Sequence, residues 1–427
     1  MGGFGRYLAA ALAARIASEG MGMAVVLLAL ERTGSAAHGA FVLTAWLAPH
    51  VLAAPLAGAA AARTRRPRLF HAGALAGFAT AVAALTFLLG RAPVPLVLAV
   101  AVLGGSCGPM VTGGLSSLIT ALVPAGPGRD RAYGWDAATY NAAAVTAPAV
   151  VGLVAALGSA GPAMAVLAAS GALAAALAAT LPYEDRGAGD GAGPVSGASR
   201  ARPGPARSGR DGLAALWRIR ELRAVTSATT LGFVGIGSLT TVSVLLATEL
   251  GSPGGGGVLM TAFAVGALGG SLTLGRITSV EPGRLVRWAL AGTGAALAAA
   301  AFAPSLPVTA VLFALAGVCD GPLLTATLRI RARYAPEEVR TQVFTLGAGL
   351  KLTAASAGAA LVGLAADAPA AALLTGIAGL LLAAALLHTL TVPRESGRTA
   401  GTVAAGATEP SAGSATTAAG PRTPEGP

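Results

Sequence analysis

Five ionisable residues stand inside long apolar stretches: Arg15 and Glu19, His50, Asp320 and Lys351. On insertion scales a charge at the centre of a bilayer costs roughly 2.5–3.5 kcal/mol, so intramembrane charges are functional candidates by default. Carboxylates and imidazoles exchange protons, and guanidinium and ammonium groups receive anions. These residue types therefore point to recognition of a small-molecule ligand or to proton transfer. Bond-making chemistry would need a nucleophile with its base, clustered acids or a metal set. The four histidines, His38, His50, His71 and His388, are scattered, and no paired carboxylates stand within the apolar runs. No metal, cofactor or enzymatic role is expected.

Each candidate also has a plainer reading. Arg15 and Glu19 are four apart, on one face of a helix, and could simply neutralise each other. Asp320 and Lys351 could form a structural ion pair, and His50 could be a core histidine bonded to a backbone carbonyl. Asp136, Tyr140 and Asn141 read as capping and packing residues. Cys107 and Cys319 lie in apolar runs and read as packing residues too.

The elements that must hold these residues are apolar helices. Of the 427 residues, 54% are hydrophobic and 11% charged, against roughly 25% charged in a soluble domain. About 20 apolar residues cross a bilayer. Runs of that length fall at approximately 6–30, 38–61, 69–89, 95–121, 132–157 and 162–181, then at 224–248, 256–274, 285–303, 307–329, 341–364 and 369–391. The first run continues past Arg15 and Glu19 to Leu30, longer than the core of a cleaved signal peptide.

The fold class expected is an all-α polytopic membrane protein, multi-pass in the cell membrane, with two six-helix bundles related by a pseudo-two-fold repeat. The halves are 1–183 and 211–393, the second starting with a short interfacial amphipathic helix around Leu213, Leu216, Trp217 and Ile219. Residues 184–210 are a Gly-, Pro-, Ser- and Arg-rich linker, and 394–427 a low-complexity tail, both expected to be disordered and cytoplasmic. Thr33-Gly34-Ser35 with Thr44-Ala45 is echoed by Leu250-Gly251-Ser252 with Thr261-Ala262, and Gly108-Pro109 by Gly321-Pro322. Of the 29 Lys and Arg, only Arg32 and Arg91 fall on outer loops when both termini are placed in the cytoplasm, and Arg15 and Lys351 lie within runs. The positive-inside rule selects that orientation. The net charge of +11 is thus topological, and no nucleic-acid partner is expected. Depths from the cytoplasmic ends are roughly 14 Å for Arg15, 20 Å for Glu19, 16 Å for His50, 14 Å for Asp320 and 15 Å for Lys351, at about 1.5 Å per residue.

On these features the chain resembles the major facilitator superfamily. The family's loop pattern after the second span is met by Gly58, Arg63 and Arg66, with Ala62, Arg65 and Pro67 at positions that depart from it. The fifth span carries Pro148 and Gly152 at the spacing of the family's antiporter motif, with Ala147 and Val151 replacing its other glycines. The fourth span lacks the arginine that proton-coupled members often carry. The resemblance implies a monomeric transporter working by alternating access in the lipid bilayer. It further implies gating by Gly58, Arg63 and Arg66 at the cytoplasmic end, helix packing at Pro148 and Gly152, and proton-coupled export of a small amphipathic molecule. Import of a sugar, organic acid or peptide is the alternative within transport, and a membrane receptor or embedded enzyme the alternative outside it.

Overall fold

In lipid every backbone polar group must find its partner within the protein, which leaves helices as the economical way to use such apolar runs. The computed structural model describes residues 3–64, 66–124, 127–182, 210–252, 254–274, 280–336 and 339–392. The helices α1 (Gly3–Thr33), α2 (Ala36–Leu47), α3 (His50–Arg63), α4 (Pro67–Leu88) and α5 (Val94–Ser106) are followed by a π-helical turn, Met110–Gly114. Then come the short α6 (Leu115–Ser117) and α7 (Ile119–Leu122), and the long α8 (Pro127–Leu157) and α9 (Ala160–Ala179). The second half comprises α10 (Arg210–Arg218), α11 (Arg220–Glu249), α12 (Gly255–Leu274), α13 (Pro282–Ala300), α14 (Leu306–Tyr334), α15 (Arg340–Leu364) and α16 (Ala370–Thr391). The expected linker and tail lie outside the described residues.

Among the described residues, ten helices are long and apolar enough to cross a membrane. The remaining two of the twelve expected spans depart for visible reasons. The ninth, α13, carries Arg284 and Arg287 in its first turns. The fourth stops being α-helical after Ser106, where Gly108-Pro109 removes one backbone donor and one side chain, and it resumes through the π turn. The second span is likewise divided, at Pro49, into α2 and α3.

Outward-facing positions are apolar, as at Leu103, Leu157, Trp288 and Leu390, all more than half exposed. A surface of that kind suits lipid. Inside the bundle, glycines set the helix spacing. A Cβ on Gly266 or Gly270 of α12 would collide with α14 backbone at Ala314 and Val318, and one on Gly317 or Gly321 of α14 would collide with α12 at Phe263 and Ala267. The two helices therefore touch backbone to backbone.

The two halves repeat each other in detail. The Glu31 carboxylate at the end of α1 accepts a hydrogen bond from Ala160 N, the first residue of α9, at 2.6 Å. Glu249 at the end of α11 does the same for Ala370 N, the first residue of α16, at 2.9 Å. Each acid satisfies an orphan donor at a helix start and sits at the positive end of that helix dipole.

The halves meet closely at the helix ends remote from the chain's N-terminus. A Cβ on Gly152 of α8 would lie 2.7 Å from Gly257 Cα of α12, and one on Gly257 would lie 2.7 Å from the Pro148 carbonyl oxygen. Ser356 Oγ of α15 donates to the Thr44 carbonyl of α2 at 3.2 Å. Gly22 of α1 faces Thr240 of α11, and Gly363 of α15 faces Ala40 and Phe41 of α2.

Candidate functional site: the buried charges of the two halves

In the first half the charges are paired across helices. Arg15 does not use Glu19, one turn away, and instead bridges to α8, where its guanidinium lies 2.8 Å from the Asp136 carboxylate. The same side chain donates to the Asp136 backbone carbonyl at 2.7 Å, to Ser116 Oγ at 3.0 Å and to Thr139 Oγ1. Its flat face lies 3.4 Å from the Tyr140 ring centroid. Asp136 is served in turn by Tyr7, whose hydroxyl donates at 2.5 Å, and by Ser116 Oγ at 2.7 Å. Arg15 and Asp136 are both buried. A carboxylate holding a guanidinium and two hydroxyls meets the condition under which a buried pair is tolerated, namely that its remaining hydrogen-bonding capacity is filled. The break in the fourth span matters here, because the π turn immediately precedes the segment that delivers Ser116 to this network.

This replaces the neutralising Arg15–Glu19 pair as the plainer reading of Arg15, and gives Asp136 a larger part than capping. The sequence did hold a signal. A lone arginine in the first span needs a carboxylate at matching depth, and Asp136 stands nine residues into α8, roughly 14 Å from its start at about 1.5 Å per residue. Glu19, freed of Arg15, is exposed although it sits in the middle of α1. Residues 15, 19 and 22 share one helix face. Because Gly22 on that face looks at Thr240 of the other half, Glu19 projects into the space between the halves.

His50 opens α3 and packs against the fourth span, where a Cβ on Gly108 would overlap its ring. Gly58 and Arg63 belong to α3, with their side chains outside the described set, and Arg66 is exposed at the start of α4. Pro148 and Gly152 form the contact with Gly257 given above.

In the second half the charges are not paired in this way. Asp320 of α14 is half-buried and Lys351 of α15 is 7% exposed, yet no direct ion pair joins them within 4 Å. The Lys351 ammonium lies instead 4.7 Å from the centre of the Phe233 ring on α11, a cation–π contact. One residue that sequence reasoning placed merely among the basic cytoplasmic loop residues belongs here. Arg331 is 3% exposed, and its guanidinium occupies the room left by Gly347, where any Cβ would overlap it. Gly347 is one turn before Lys351 on α15. Nothing in the local sequence separates Arg331 from Arg329 and Arg333, because the distinction is made by which way α14 is turned.

Apolar helices in two repeated halves, packed around intramembrane charges, define a multi-pass transport protein of the cell membrane. A sequence profile of the Major Facilitator Superfamily matches residues 7–244 and again 225–418, and the chain belongs to that superfamily. It is 31% identical over 365 residues to the "Multidrug efflux pump Tap" of Mycobacterium tuberculosis (strain ATCC 25618 / H37Rv), covering 82% of this chain and 84% of that protein. The same figures hold for Tap of Mycobacterium bovis (strain BCG / Pasteur 1173P2). Among solved structures, the fold resembles a peptide transporter POT in complex with sulfate, with a TM-score of 0.68 at 15% identity over 91% of this chain and 94% of that one. It also resembles a variant of the nucleoside transporter NupG, with a TM-score of 0.71 at 14% identity over 91% and 100% of the two chains.

Proposed function

We propose that this chain exports small amphipathic molecules by alternating access, driven by the proton gradient, with both termini in the cytoplasm. The observation that carries the reading is the placement of the close contacts between halves. They lie at the ends remote from the N-terminus, while Glu19, at mid-span, stays accessible in the space between the halves. A cavity closed outside and open to the cytoplasm loads cargo from within, and rocking the halves about the Gly152–Gly257 contact would release it. The similarity to Tap supports efflux as the direction. The basic residues at the N-terminal end support its cytoplasmic placement.

In this reading Glu19 is the carboxylate that exchanges proton for cargo, and Asp320 and Lys351 face it from the second half. Gly58, Arg63 and Arg66 act at the cytoplasmic gate. Everted membrane vesicles containing the chain, energised to an acidic interior, are expected to accumulate an amphipathic fluorescent dye. Glu19→Gln should remove the gradient-driven part of that accumulation while leaving folded yield near that of the parent. Dye uptake that ignores the gradient, or accumulation only in right-side-out vesicles, would sink the reading.

A further inference from the structure

The least explained feature of the second half is Arg331. Its guanidinium is more than nine-tenths buried, and its Nε and one terminal nitrogen have no hydrogen-bond acceptor. The nearest described ionisable group is another cation, Lys351, itself more than nine-tenths buried and in contact with an aromatic face. Asp320, the carboxylate within electrostatic reach of Lys351, stands eleven residues from Arg331 on α14, roughly 16 Å along the helix at about 1.5 Å per residue. From α11 the seam receives Phe233, which carries no charge.

Two cations are thus buried one helical turn apart along α15 with one distant carboxylate between them. Taking a charge out of water costs several kcal/mol after relaxation, and it is repaid only by a counter-charge with good geometry. The fork of a guanidinium is shaped for a planar or tetrahedral oxyanion, and an ammonium beside it adds a second point of attraction. Gly347 keeps the space for that fork open.

We propose that Arg331 and Lys351 form a receptor for the anionic group of an amphipathic ligand, a carboxylate or phosphate type of headgroup, at the seam of α14, α15 and α11. Set within the export reading above, this makes the cargo an amphipathic anion or zwitterion, its acidic end at Arg331 and Lys351. The same headgroup chemistry is presented by an anionic lipid, so the test separates the two sources. It measures binding and needs no turnover, so an inactive exporter leaves it standing.

The full chain is placed in nanodiscs of phosphatidylcholine alone, and binding of radiolabelled decanoate is measured against decyltrimethylammonium and decanol. Saturable decanoate binding is expected, roughly ten-fold or more weaker in Arg331→Gln and in Lys351→Gln, close to parental in Asp320→Asn, and partly restored in Arg331→Lys. Competition by phosphatidylglycerol added to the disc assigns the site to lipid, and competition by soluble amphipathic carboxylates alone assigns it to cargo. Without decanoate, Arg331→Gln should melt at or above the parental temperature, because it removes an uncompensated charge. Decanoate binding unchanged in both variants, equal binding of the decyl cation, or an Arg331→Gln chain that fails to fold would each overturn the proposal.

Discussion

The first half of the molecule buries an arginine and completes it, whereas the second half buries an arginine and leaves it open. Arg15 meets a carboxylate, a carbonyl, two hydroxyls and an aromatic face drawn from three elements. Arg331, at comparable burial, has acceptors missing at two of its nitrogens. The two halves share an ancestor-like plan down to the matched caps of Glu31 and Glu249, so the difference is local and does not come from the fold. A completed charge holds helices at fixed positions. An open one is available to something else.

The comparison breaks most visibly at Asp136. Replacing it with Ala strands Arg15 and leaves Tyr7 and Ser116 without their shared acceptor, at a cost of about 3–5 kcal/mol. Folded yield and melting temperature in mild detergent should both fall sharply, and Arg15→Met combined with Asp136→Leu should recover most of the loss. If Asp136→Ala folds as well as the parent, the network is not structural.

A smaller loss is expected when a single donor is removed. Tyr7→Phe takes one hydrogen bond from Asp136 while keeping the ring's packing, which should cost about 1–1.5 kcal/mol, read as a modest drop in melting temperature with transport retained.

The second half should respond with the opposite sign. Arg331→Leu is expected to leave the unliganded chain as stable as the parent or more so, by up to about 1 kcal/mol, since no partner is orphaned. A melting point depressed as far as that of Asp136→Ala would erase the distinction between the halves.

The smallest stability effect is expected for Asp320→Asn combined with Lys351→Gln. The two do not touch, so both single variants and the double should express within about 0.5 kcal/mol of the parent, the usual range when no named interaction is broken. Transport should nevertheless be lost in the double. An active double variant would remove these two residues from the site.

The sequence made the architecture legible because a bilayer forces long apolar runs and biased loop charges, and both are one-dimensional signals. Pairings between helices are not one-dimensional. Arg15 and Glu19 lie four apart and look like partners, yet the face they share leads Arg15 sideways to α8 and Glu19 into the gap. Arg331 looks like Arg329 and Arg333 until the rotation of α14 is known. Glycine spacing shows the same limit. Gly266 and Gly270 seat α14, whereas Gly73 and Gly77, equally spaced, meet at most Cys107 Sγ at 3.5 Å. The interruption of the fourth span was readable at Gly108-Pro109, but not that it would carry Ser116 to Asp136.

The Gly152–Gly257 contact has an electrical consequence. Where two helices meet main chain to main chain, no side-chain-sized gap remains for a file of water, and a file of water conducts protons. A cell that spends its proton gradient on work cannot tolerate a shunt across the same membrane. Glycine at both positions makes the closed end an insulator, and any larger residue at either would wedge that insulation apart.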